Sequence, residues 1–569
     1  MNDSPSLPRV SMLIIAVVQG LLLFALYRAL DTNIWPSESP LWSYPLWTLV
    51  AAVPLLLLLS LDRENVKSVS QMVAGLGFVL ALLAIYTGWQ AEPFDEFPLF
   101  SLSFAFIFSI TLACFKALMY LPQRANQVPL TYQVLFTNSW RNFLVTALSA
   151  LFVLIFWLIL MLWGALFKVI EIDFFQELFT EDWFIFPVLG FAFGLGVIIF
   201  RNLTRVIDNI TKLLHGLIKL LLPLIIAVAV IFLAVLPFVG LDVLWSTGNG
   251  TALLLWLLAI ILFFTNAVYQ DGRETNPYSP IIHRIIFSGL CVMPIISALS
   301  LYGLILRLNQ YGWTVERCWA FVVWLILTLL AVGYVVGIIR RRTEWTIDLA
   351  RANTAMGLVV LALMLLANSP VLDFRKISLS SQLKRVDSGE IELREFDFWY
   401  TKQHLARPGY LAMEEMKEEI GDSDPELLNL INNPVNTRYA RGMRSPEDLW
   451  EAMYYRPEPF DVPESLKSII NSSVIGVYSG DPVIIQLDLN DDGQNEYLLF
   501  LLQEYGIGNS QFYHLTKKGW RAGILPHPGW TRGGEAVKDL LMKGEIEIVD
   551  PRFRHLEIGG VLLQPTTNE

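Results

Sequence analysis

The stretch LYGLILRLNQYGWTVERCWA, residues 301–320, sets a polar, aromatic knot between two apolar runs. The knot holds Arg307, Asn309, Gln310, Tyr311, Gly312, Trp313, Thr314, Glu316 and Arg317. Apolar residues dominate 285–306 before it and 318–339 after it. A run of about 20 apolar residues is what a helix needs to cross the hydrocarbon of a bilayer. The pattern therefore predicts a hairpin of two membrane-spanning helices. Gly312 permits the reversal, because a residue without Cβ enters left-handed backbone at little cost. Thr314 is placed to cap the second helix, with Glu316 in its first turn against the positive end of the helix dipole. Tyr311 and Trp313 suit the headgroup level, where amphipathic rings collect.

Outward from this hairpin, the same test finds eleven spans. They lie near 10–30, 41–60, 70–89, 98–120, 143–167, 183–200, 217–240, 250–269, 283–306, 318–339 and 354–370. The first reads as a span rather than a cleaved signal peptide. Its apolar core is long, and Tyr27-Arg28-Ala29-Leu30 makes a poor cleavage site. The whole chain is 54% hydrophobic and only 16% charged, against about 25% charged in soluble domains. Residues 1–370 hold 20 basic and 20 acidic residues, so the net charge of −11 belongs to the remainder.

Basic residues orient the spans. With the N-terminus in the cytoplasm and strict alternation, 16 of those 20 basic residues fall on the inner side. The outer loops keep Arg28, Lys168, Arg307 and Arg317. Positive charge concentrates on the cytoplasmic side, which selects this orientation and puts the C-terminal tail outside. Two outer loops are acidic: one holds Glu92, Asp95 and Glu96, the next Glu171, Asp173, Glu177, Glu181 and Asp182 among aromatic rings. They attract cations, or form an interfacial helix with acids facing water.

Ionisable groups deep in a span mark ion or proton paths. The middle of each span lacks Asp, Glu and His, and Lys116, Lys168, Asp208 and Glu344 lie at span ends. That weighs against a proton-coupled pump. Arg307, Gln310, Tyr311, Trp313 and Arg317 form a candidate rim for an anionic lipid headgroup. The plainer alternative is helix-end arginines snorkelling to the interface.

The sequence divides into a transmembrane domain (1–370), a loop-rich connector with short helices (371–465) and a β-rich extracytoplasmic domain (466–569). The expected fold class is an all-α polytopic membrane bundle of about eleven helices followed by an α+β soluble domain. Residues 371–400 read as a connector followed by a strand, 411–420 and 446–455 as short helices. Strands are expected at Ile469–Tyr478, Val483–Leu489, Glu496–Gln503, Gln511–Leu515 and Ile546–Val549, and a helix at 533–542.

The turn between the second and third of these strands, 488–496, reads DLNDDGQNE. It fits D-x-N-x-D-G-x-x-E. Asp488, Asn490, Asp492 and Glu496 supply oxygens, Gly493 makes the turn, and the Gln494 carbonyl completes the set for a hard cation such as calcium. The EF-hand requires Glu at position 12, which is Leu499 here, and helices on both sides. Strand-flanked, this loop instead resembles the calcium hairpins of FG-GAP-type β repeats. The competing reading is an Asx-rich hairpin turn without metal.

Other chemistry is excluded more firmly. The acidic tail opposes bulk-charge binding of nucleic acid. Cys114, Cys291 and Cys318 make neither a CxxC pair nor a zinc spacing. HExxH, GxSxG, P-loop and Rossmann fingerprints are absent. His215 and Asp208, seven residues apart and on one helical face, are the inner-side pair a lipid-acting enzyme requires, and read better as plain surface.

Several stretches together resemble a bacterial membrane protein family known as domain of unknown function 4153. They are Asn138-Ser139-Trp140-Arg141-Asn142, LMLWGALFKVI (160–170), FFTNAVYQDG (263–272), LRLNQYGWTVERCWA (306–320) and SPVLDFRKISLSSQL (369–383). The resemblance covers roughly residues 130–400. It implies a multi-pass inner-membrane protein without an established activity, substrate or site. Two functions stay open: an envelope sensor or assembly scaffold whose outer tail binds calcium or a protein partner, and a transporter or lipid-handling protein with a site at the Arg307–Arg317 hairpin. Pro223, Pro237 and Pro294, with Gly190, Gly194 and Gly196, are the candidate helix breakers for the second.

Overall fold

In lipid, a backbone must satisfy its own hydrogen bonds, and a long apolar run does so only as a helix. The computed structural model describes residues 7–246, 249–269, 277–421, 423–432, 434, 449–450, 453–456, 460–474, 481–489, 492–503, 506–516, 519–524, 540–541, 543, 556–558 and 561–563. Its helices are α1 (Arg9–Asp31), α2 (Pro40–Ser60), α3 (Val66–Gln90), α4 (Phe100–Ala125), α5 (Tyr132–Val169), α6 (Phe174–Thr180), α7 (Asp182–Asn202), α8 (Thr204–Val239), α9 (Leu241–Ser246) and α10 (Gly250–Tyr269). They continue as α11 (Pro280–Leu290), α12 (Met293–Tyr311), α13 (Val315–Arg341), α14 (Thr346–Leu366), α15 (Phe374–Asp387), α16 (Phe398–His404), α17 (Ala406–Ile420) and α18 (Pro425–Asn432).

Among the described residues, 11 helical stretches are long and apolar enough to cross a membrane. The ninth, Pro280–Tyr311, is interrupted. α11 stops at Leu290 and α12 starts at Met293, with Pro294 in its first turn. A proline lacks the N–H and its ring collides with the carbonyl four residues back, here that of Leu290.

The chain forms two compact units: Met1–Phe396 with Tyr400–Asp424, and Asp397–Trp399 with Pro425–Glu569. The first unit has two main cores. One gathers Met12, Ala16, Leu58, Val73, Leu80, Phe106, Val145 and Val197, from α1 to α5 and α7. The other gathers Leu222, Ile226, Leu258, Ile261, Ile296, Tyr334 and Trp345, from α8 to α14. A smaller cluster of Ala113, Cys318, Val322, Val360 and Met364 joins α4, α13 and α14.

Small residues let α1 and α7 approach closely. A Cβ on Gly20 of α1 would stand 2.5 Å from the Phe186 carbonyl oxygen of α7, and one on Gly190 of α7 2.6 Å from that of Ala16. Ala16 and Gly20 are four apart, as are Gly190 and Gly194. This is the small-xxx-small pairing that lets membrane helices approach where burial from water supplies no drive. Gly190 and Gly194 thus serve packing rather than a helix break, and α7 runs through them unbroken.

The first unit extends past residue 370. Residues 371–400 hold α15, a 3-10 turn at Leu393–Glu395 and the start of α16, where the alternating pattern predicted a connector and a strand. Asp373 caps α15 by accepting from the Arg375 N–H, which commits the segment to helix. α17 packs Ala406 into a cluster with Ala91, Phe97 and Leu102, at the bundle end that carries loop 91–99.

In the second unit, β1 (Tyr454–Arg456), β2 (Asp481–Leu487), β3 (Glu496–Gln503), β4 (Gly506–Thr516) and β5 (Gly519–Ile524) form one sheet in that order. β1 and β2 run parallel and the remaining neighbours antiparallel. β6 (Leu556–Ile558) and β7 (Val561–Leu563) make a separate ribbon. β3 is apolar on both faces. Tyr497, Leu499 and Leu501 pack with Leu466 and Ile470 of α19 (Glu464–Val474), while Leu498, Phe500 and Leu502 pack with Val483 and Leu541. The strand expected at Ile469–Tyr478 is helix as far as Val474, because Leu466 and Ile470, four apart, lie buried on one helical face. Tyr454 and Tyr455, expected in a helix, lie in β1. Residues 475–478, the strand at 546–549 and nearly all of the helix at 533–542 lie outside the described residues.

Candidate functional site

The 301–320 hairpin folds as its residues dictate. Gly312 ends α12 at φ +68°, left-handed backbone that favours glycine. The Thr314 hydroxyl accepts from the Arg317 N–H at 3.3 Å, and Glu316 lies in the first turn of α13.

A helix not anticipated from the sequence clasps the turn. Ser378, Ser381, Gln382 and Arg385 of α15 are spaced i, i+3, i+4 and i+7, so they line one face. The Ser378 hydroxyl donates to the Trp313 carbonyl at 3.2 Å, and the Gln382 amide donates to the carbonyls of Tyr311 and Trp313 at 2.9 and 3.0 Å. The Arg385 guanidinium donates to the Gln310 carbonyl at 3.1 Å, and the Trp313 N–H donates to the Ser381 hydroxyl at 3.0 Å. From α16, the Tyr400 hydroxyl accepts from the Val315 N–H at 2.8 Å and donates to Glu316 at 3.2 Å. Burial, then the Glu316 charge, pushes the Tyr400 hydroxyl well above the ordinary phenol range. His404 stacks on Tyr400 and stands 3.4 Å from Glu316.

The rim arginines turn inward. Arg317 donates to the Gly312 carbonyl at 2.7 Å, and Arg307 reaches the Trp245 carbonyl at 3.3 Å and the Gln310 side chain at 3.4 Å. Their guanidinium carbons lie 5.4 and 6.0 Å from the Tyr311 ring centre. The structure therefore brings Arg307, Gln310, Tyr311, Trp313 and Arg317 into one place, and there they brace the turn itself.

Behind the clasp lies a buried polar knot. Asp373, its side chain 2% exposed, accepts from the Tyr86 hydroxyl at 2.7 Å and the Gln90 amide at 2.8 Å. Arg375 stands 3.8 Å from the same carboxylate. Burial lowers the Arg375 guanidinium from its usual value, and Asp373 opposes that fall. The knot joins α3 to the start of α15. The motif Asp373-Phe374-Arg375 is visible in the sequence, but its partners stand some 280 residues earlier and no local pattern points to them.

In the second unit, the 488–496 turn has the strand–turn–strand frame read from its residues, with Leu487 opposite Glu496. Its carboxylates bind its own backbone. Asp488 accepts from the N–H groups of Asp492 and Gly493 at 3.2 and 2.9 Å, Asp492 from Gln494 at 2.8 Å, and Glu496 from Leu489 at 2.8 Å. Gly493 has φ +80°. Asn490 lies outside the described residues. Among the described residues, His, Cys, Asp and Glu form no group of three placed to hold a metal ion.

Eleven apolar helical stretches among the described residues, two of them joined by the clasped hairpin, define a multi-pass membrane protein. More narrowly, the chain belongs to the family described as domain of unknown function (DUF4153), which matches residues 13–416. The match covers the candidate spans from residue 13, inside the first of them, and most of α17, more than the stretch 130–400 that carried the resemblance, and ends within the first compact unit. No curated protein and no solved structure matches the chain.

Proposed function

We propose that this protein is a non-enzymatic envelope scaffold or sensor of the bacterial inner membrane. In this reading the N-terminus is cytoplasmic, the C-terminal unit is periplasmic, and the bilayer and an envelope protein are its partners. The clasp of α15 and Tyr400 on residues 310–316 carries the reading. It fixes the segment leading out of the last span to the α12–α13 hairpin, so that pull or ligand state felt beyond α14 is handed to two membrane helices. An odd number of spans and the basic-residue bias support the two-sided topology. Transport or lipid handling at Arg307–Arg317 draws less support, because both guanidiniums are taken up by carbonyls of the hairpin and of Trp245.

A reporter fused after Glu569 tests the topology. Alkaline phosphatase, active outside, is expected to work there, and a fluorescent protein that matures only in the cytosol is expected to stay dark. The reverse pattern removes the sensor reading.

Calcium at Asp488, Asn490, Asp492, Gln494 and Glu496 is part of the same proposal, supported by the strand frame and the positive φ of Gly493. Millimolar calcium is expected to raise the melting temperature of the full chain and to leave Asp488→Ala unmoved. Equal melting of both chains with and without calcium ends that part.

A further inference from the structure

At the opposite end of the bundle from the clasp, the C-terminal ends of α2, α4 and α7 meet the start of α5 around a cavity of 210 Å³. Its wall includes Ser60, Asp62, Gln123, Asn138, Arg141 and Arg201. Arg201 is consumed by the fold: it donates to the carbonyls of Leu58 and Leu61, both at 2.8 Å, and to Asp62 at 2.9 Å. Arg141 is not. It gives one hydrogen bond, to the Arg201 carbonyl at 3.1 Å, and a guanidinium carries five N–H donors.

Two wall residues hold a buried side-chain oxygen without a partner, Ser60 Oγ and Gln123 Oε1. The residues themselves are 1% and 3% exposed. Both oxygens are sealed from solvent, so they lie beneath the cavity wall rather than on it. The wall itself offers donors from Arg141 and Asn138. Asp62 and Asp208 both act on Arg141. Two carboxylates beside two guanidiniums leave little net charge, which suits a monoanionic or zwitterionic group better than a multiply charged one.

We infer that this cavity binds the phosphodiester headgroup of a phospholipid, with Arg141 and Asn138 on the phosphate. The cavity sits where membrane-spanning helices end, which is where headgroups lie. A soluble phosphate ester shares the phosphate chemistry but lacks the acyl chains that would hold it at that level.

Native mass spectrometry and melting of the purified full chain in detergent test this. The probes are phosphatidylglycerol, diacylglycerol with the same chains, and inorganic phosphate. Phosphatidylglycerol is expected to stay bound and raise the melting temperature, diacylglycerol to do neither. Arg141→Gln is expected to weaken retention by about tenfold or more, the loss of a charge-assisted contact. Val134→Phe, which fills the cavity from its wall and keeps the Arg141–Arg201 hydrogen bond, is expected to abolish it. Val134→Phe decides the matter if Arg141→Gln does not fold. Equal retention of phosphatidylglycerol and diacylglycerol, or retention undiminished in Val134→Phe, overturns the inference. A shift from inorganic phosphate as large as that from phosphatidylglycerol overturns the lipid as the source.

Discussion

Asp373 does two jobs at once. It caps α15 and holds the charge of Arg375 inside the protein. Removing one partner of a buried pair strands the other, which costs about 3–5 kcal/mol. Asp373→Ala is therefore expected to lower the melting temperature in detergent by far more than Arg28→Ala, whose pair with Asp31 is half exposed. Similar shifts for the two would show that Asp373 does not hold the Arg375 charge. Tyr400→Phe removes the hydroxyl's hydrogen bonds to Val315 and Glu316 and is expected to cost about 1–3 kcal/mol, through the Val315 N–H left without its acceptor. The raised Tyr400 also sets a pH signature. Folding favours its neutral form, so its contribution is complete below the ordinary phenol value of about 10 and fades as pH climbs toward the higher folded-state value. The difference in melting between wild type and Tyr400→Phe is expected to shrink above that pH. At this scale the sequence was legible where chemistry is local: Gly312, Thr314 and Glu316 sit as their types require. The partners of Asp373 and the carbonyls gripped by Gln382 were not, because side chains far apart in the chain meet only after folding.

Helices were read well from apolar run length, since a span is a composition before it is a conformation. The errors fell where composition is mixed. Residues 391–400 alternate like a strand, yet the segment turns through a short 3-10 element into α16. Residues 469–474 look β-prone, yet they finish a helix whose face is buried on the sheet. Tertiary packing outweighs propensity of this size. Packing between elements gives a paired prediction. Gly20→Val and Gly190→Val are expected to push α1 from α7 and cost about 1–3 kcal/mol or more. Gly75→Ala, with open space where its Cβ goes, is expected to be neutral or mildly stabilising. Monodispersity and melting in detergent separate them, and a harmless Gly190→Val would remove the close-approach account.

For the whole molecule, the domain boundary matters. The family match and the first compact unit both run past α15, so the bundle is incomplete at residue 370. A chain ending after Asp424 is expected to insert and to melt close to the full protein's membrane transition. One ending after Ser369 leaves the Trp313 carbonyl without its donors from Ser378 and Gln382, and the Tyr311 carbonyl without Gln382, and is expected to melt lower by several degrees. Equal melting of the two truncations would falsify the clasp as a stabilising device.

The two separate cores bear on biogenesis. The first draws on helices that leave the ribosome before α8 is finished, and the second on helices that follow. The amino-terminal half can thus settle into a protease-resistant form beside the translocon while the later helices are still being threaded, and a pulse-labelled nascent chain arrested near residue 240 should already show it.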